Sequence, residues 1–201
     1  MESASCSVTL PAGFVELPRE RTPSVDRLIQ LAHEWQAALG VENPAELTEG
    51  SVQTAAMLAA TGAAAGVTGS AHVSAAIYRS PEASRPVMVL VSTYLEETGH
   101  SAVTEALESV EKLSAAKKFD DVRRVTLPAG QAVLVETAHS SRHDTPAGPV
   151  TVTSRSLSAW IPSPNLPQTA VIEVSSNNAE DWAHVSGLAK EIFQTFSWDE
   201  E

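Results

Sequence analysis

Thr169-Ala-Val-Ile-Glu-Val-Ser175, then Asn177-Asn178, then Trp182, Val185, Ala189, Ile192 and Phe196: this stretch decides the fold. The first seven residues are rich in β-branched side chains and read as a strand. The two asparagines turn the chain. The apolar residues beyond them recur at steps of three, four, three and four. That is one face of a helix, predicted over about Ala179–Thr195. Leu188 and Phe193 widen the stripe, as a helix lying on a sheet requires. Such a strand–helix unit cannot bury its apolar side alone, so the preceding strands must supply the surface.

Working backwards, strands are predicted over Val122–Leu127, Ala132–His139 and Val150–Trp160. Pro128-Ala-Gly130 reads as a tight turn and His139 to Pro149 as a longer hairpin loop. Connections this short imply antiparallel pairing. Inward parity shifts within Val150–Trp160, which predicts a bulge near Arg155. A helix capped by Ser101 and running through Lys118 precedes them, with Val103, Leu107, Val110 and Leu113 on its face. Two further strands, Ala71–Arg79 and Val87–Leu95, lie upstream. The second is apolar at both parities, which places it inside a sheet with something packed on each side.

The first third is helical. Thr22 as N-cap and Pro23 at the first position start one helix, closed by Gly40. Its predicted face is Val25, Leu28, Ile29, Ala32, Trp35 and Leu39. Asn43-Pro44 starts a second, expected to reach Ala60 and fray into Thr61–Gly66. Val8–Leu17 reads as a strand or two extended pieces, ended by Pro18, and residues 1–7 as a disordered tail. The order is β-α-α-β-β-α-β-β-β-β-α. It predicts an α+β protein: one domain over residues 8–198, with a largely antiparallel sheet of about six to seven strands and helices on its faces.

Three quoted segments carry a family resemblance. They are Pro11-Ala-Gly-Phe14-Val-Glu-Leu-Pro18, Thr169-Ala-Val-Ile-Glu-Val with Glu180-Asp-Trp182, and Ile192-Phe-Gln-Thr-Phe196. Together with the element order they resemble the PsbP-like α/β/α sandwich, found also in small actinobacterial proteins of the LpqN type. The resemblance implies an accessory or binding role and transfers no catalytic motif. The chain departs from it in lacking a lipoprotein signal and in carrying an extra early helix.

Composition narrows the classes. A net charge of −12 over 201 residues, with no basic stripe, argues against nucleic acid and anionic membrane surfaces. Aromatics make up only 5% of the chain, so each large residue in an Ala- and Val-rich core counts for more. Cys6 is the single cysteine. It excludes an internal disulfide and a cysteine zinc site. With no signal-like start and no long apolar run, the expectation is a cytoplasmic protein.

Few residues suggest chemistry. Glu136, His139 and His143 could offer a carboxylate and two imidazoles to a metal. The plainer reading is a polar hairpin end, and no metal or cofactor is assigned. Gly62, Gly66 and Gly69 lack the strand-before, helix-after context of a phosphate loop, and read as a helix end. No Gly-x-Ser-x-Gly elbow occurs, so no catalytic residue is named. Lys117, Lys118, Arg123 and Arg124 form the one basic cluster, half of it explained by a helix C-terminus. Trp35 and Trp182 fit core faces, whereas Trp160 and Trp198 are candidate interface anchors. The expectation is a non-enzymatic interaction or accessory module, with a protein partner or self-association. The alternative is a small-ligand or metal-binding protein with a pocket near the 136–144 hairpin.

Overall fold

Helix caps set where the regular structure begins. Ser24, not Thr22, caps the first helix, α1 (Val25–Ala38), by accepting a hydrogen bond from the Arg27 amide. This start turns Leu31, Ala32 and Trp35 inward and leaves Val25, Ile29 and Leu39 exposed, so half of the expected face is solvated. Gly40, at φ 72°, ends the helix as its left-handed conformation demands. The second helix, α2 (Glu49–Val67), starts from a reciprocal capping box between Thr48 and Ser51. The expected start at Asn43-Pro44 lies outside the described residues. Rather than fraying after Ala60, α2 continues through Gly62 and Gly66. Both glycines face the 17–19 segment. A Cβ on Gly62 would come within 3.0 Å of the Pro18 carbonyl and the Leu17 side chain, and one on Gly66 would meet the Arg19 carbonyl at 2.5 Å. The glycines permit a close backbone approach; Gly69 makes the turn that follows.

The computed structural model describes residues 5–40, 46–80, 82, 85–97, 103–117, 119–145 and 148–199. The fold class is α+β, with four α-helices among the described residues. The chain divides into two compact units, 11–94 and 1–10 with 95–201. Between them they span the stretch expected as one domain.

In the 11–94 unit, the edge strand β2 (Val15–Glu16) pairs with β3 (His72–Arg79), and β3 pairs with β4 (Pro86–Glu97), antiparallel throughout. β2 is far shorter than the expected Val8–Leu17, since Pro11 and Gly13 interrupt it. Val73, Ala75 and Ile77 pack with Leu31, Trp35, Ala55 and Leu58 of the helices. Val87, Val89 and Val91, of the opposite parity, are also buried, matching the two-sided apolar reading of β4.

In the other unit, strands β5 (Asp121–Leu127), β6 (Gly130–Thr145), β7 (Gly148–Pro162) and β8 (Gln168–Ser176) form an antiparallel meander in chain order. Helix α3 (Val103–Lys117) packs Leu107 and Val110 on Val133 and Val135. Helix α4 (Trp182–Gln194), entered through one turn of 3-10 helix, covers the other face and buries Val185, Ala189, Ile192 and Phe193. The α/β/α layering is thus present within this unit.

Three expectations are corrected by the strand pairing. The 139–149 segment is not a loop: β6 and β7 pair without interruption from Val133↔Trp160 to Thr145↔Gly148. No bulge occurs at Arg155. The parity change arises because β8 stops pairing there, at Arg155↔Ser176. Beyond that point β6 and β7 are a two-stranded ribbon, with no covered face to demand alternation. Nor are residues 1–7 wholly a tail. Cys6–Ser7 forms β1, paired with β9 (Ser197–Trp198), while residues 1–4 lie outside the described set.

Candidate functional site

Glu136 sits on β6 facing α4, directly opposite Leu157 and diagonal to Arg155. The Trp182 indole N–H donates to Glu136 Oε1 at 2.7 Å, and Arg155 Nη2 donates to the same oxygen. The Arg155 guanidinium also lies over the Trp182 ring, 5.0 Å from its centroid. The carboxylate is therefore committed to a cation and an indole. His139 is three residues along the strand, so it lies on the opposite face, and it is exposed. The side chain of His143 lies outside the described residues. Among the described residues, no three His, Cys, Asp or Glu side chains gather into a metal-binding group. Glu136 thus locks β6, β7 and α4 together.

The basic cluster is split by strand parity. Arg124 faces α3 and forms a two-point pair with Glu111, at 2.5 and 2.9 Å, which holds the Glu111 carboxyl below its ordinary value. Arg123 faces the other way and pairs with Asp121 at 3.4 Å. Lys118 and the Lys117 side chain lie outside the described residues. A pocket of about 350 Å³ opens beside Arg123, between β5 and α4.

Neither candidate interface tryptophan is fully exposed. Trp160 is half-buried against the Leu107–Val133 cluster. Trp198 is half-buried, edge-on to Phe196 at 5.3 Å, and its indole nitrogen is enclosed.

Sequence reading missed a three-residue constellation on β2 and β3. Ser74 Oγ lies 2.7 Å from His72 Nε2, and His72 Nδ1 lies 3.6 Å from Glu16 Oε1. The His72-x-Ser74 spacing places both on one strand face, and the register sets Glu16 opposite Ser74. This is the connectivity of a nucleophile, a base and an orienting acid. Ser74 is only 2% exposed, so no acyl carbonyl can reach its Oγ. Burial lowers the His72 pKa, with Glu16 opposing and Arg19 reinforcing the shift. A neutral imidazole bridging two side chains is what the geometry supplies.

A larger groove, about 690 Å³, runs beside β2 and α1 past Phe14, Gln30 and Arg27. Arg27 is already spent on Glu34 and the Glu16 carbonyl, each at 3.2 Å.

The most unusual surface is on α2. Its one charged residue is Glu49, in the first turn. Ala56, Met57, Ala60, Ala64 and Val67 share the face away from the Ala55–Leu58–Ala59 core contacts, and all are exposed. Met57 is 72% exposed and Val67 61%. A helix apolar all round is normally covered all round. No protein-family model matches the chain, and no curated protein matches it either.

Proposed function

We propose that this chain is a non-enzymatic interaction module that docks through the outward face of α2, with a second copy of itself as the occupant. The observation that carries this reading is the uncharged, apolar and exposed face Ala56–Met57–Ala60–Ala64–Val67. Burying a methionine or valine side chain is worth about 1.5–3 kcal/mol relative to leaving it wet. Alanines at one-turn spacing let two helix axes approach to roughly 8 Å. Two chains of net charge −12 repel least through a face that carries no charge, so this is the face through which two copies can meet. The element order, which resembles the accessory PsbP-like proteins, supports the same class of role.

Sedimentation velocity of the purified chain tests it. The wild type should show a concentration-dependent dimer, and Ala60→Glu a monomer of unchanged circular dichroism. A wild-type chain that stays monomeric at every concentration, or a variant that dimerises as well, would sink the proposed surface.

A further inference from the structure

The pocket between β5 and α4 has a composition that specifies a ligand class. Its floor is apolar: Val125 and Leu127 from β5, Leu134 from β6 and Phe193 from α4. Leu127, Leu134 and Phe193 are buried, so the floor is part of the packed core and not a loose surface. Its rim carries Arg123 and Lys190. The strand register builds this arrangement. Arg123 pairs directly with Leu134 across β5 and β6, so both project to the α4 side, and the guanidinium stands over the apolar floor. Lys190 reaches the same rim from the outward side of α4. It forms no ion pair among the described residues, and Arg123 has only the partly exposed Asp121 beside it. With Asp121 counted against Arg123, Lys190 leaves an excess of one positive charge beside an apolar cavity on an otherwise acidic chain.

We infer that this pocket binds a small amphipathic carboxylate, an aromatic or medium-chain acid, with the apolar body over Val125 and the edges of Leu127 and Leu134, and the carboxylate between Arg123 and Lys190. The volume of about 350 Å³ lies at the lower end of the range for small-molecule sites. It suits a compact acid. Arginine presents a planar fork that matches a carboxylate at two points, and lysine adds a movable point charge. An alcohol of equal length would gain the apolar contact and forgo both cations. Acetate would gain the cations and forgo the floor. The site is separate from the α2 face and does not depend on its role.

Titrating the full chain with octanoate, while following backbone amide resonances, tests the inference. Octanoate should shift amides of β5 and α4 and saturate. Acetate and octanol should each bind at least about tenfold more weakly. The Arg123→Met, Lys190→Met double variant removes both charges at exposed positions and should lose octanoate binding by about tenfold or more while keeping its amide spectrum. Val125→Trp, which fills the cavity without touching the charges, should abolish it. The inference is overturned if octanoate leaves β5 and α4 unshifted, if octanol binds as tightly, or if the double variant binds octanoate unchanged.

Discussion

Replacing Gly62 by alanine sets two effects of known size against each other. Inside a helix, Gly→Ala gains up to about 1 kcal/mol from backbone entropy. At Gly62 the added Cβ would stand 2.8 Å from Leu17 Cβ and closer still to the Pro18 carbonyl oxygen. Ordinary carbon–carbon contacts fall near 3.5–4.0 Å, so the gap must open by about 1 Å. The atoms opposing it are backbone and Cβ, which cannot swing away as a side-chain tip can. Overpacking of this kind costs about 1–3 kcal/mol, and a rigid obstacle belongs at the upper end. The expected net effect is a loss of about 1–2 kcal/mol. Gly187→Ala is the matched control. It lies within α4, a Cβ there meets nothing within 4 Å, and it should stabilise by up to about 1 kcal/mol. Urea unfolding of both variants, followed by far-UV circular dichroism, gives the comparison. Equal stabilisation by both substitutions would refute the close approach of the 17–19 segment to α2.

Two further substitutions probe the second unit. Trp182→Phe keeps the buried ring but removes the donor to Glu136, and should cost about 1.5–3 kcal/mol, the range for a hydrogen bond to a charged group, in urea unfolding. Glu173 is half-buried on the α3 side, where Ser158 Oγ donates to its carboxylate at 3.4 Å, and desolvation raises its pKa. A raised folded-state value means the acid form is favoured in the fold. Its stabilising contribution is complete below the ordinary carboxylate range and lost as pH rises through the raised value. Glu173→Gln should therefore raise the melting temperature at neutral pH and lose that advantage near pH about 4. An advantage of equal size at both pH values would contradict the sign.

The fold was legible where one face of an element is buried. The steps from Trp182 to Phe196 report a helix on a sheet because a core imposes that period, and the structure buries those residues. Legibility failed where no face is covered. The 139–154 ribbon presents Ser140 to Thr153 through a side-chain hydrogen bond, so its polarity imitates a loop. Trp182 was correctly placed in the core, yet its bond to Glu136 joins positions 46 apart, and no local pattern encodes that. The same holds for Glu16 beside His72, and for Arg123 and Lys190, which line one pocket. Gly62 and Gly66 looked like a helix ending because glycine disfavours helices. Their reason for being there is the backbone lying across them, which only the folded chain displays.

The β1–β9 pair joins positions 190 apart, through Ser7 and Ser197, and its Cys6 is the chain's only thiol. Such a rung can close only after nearly everything between its strands has found its place, so it is the natural last event of folding and the first to fray. Burial, with Asp199 adding to it, pushes the Cys6 thiol pKa up and slows its chemistry while the rung is shut. The unmodified protein thus carries its own clock: the rate at which an alkylating reagent captures Cys6 counts the openings of that final clasp.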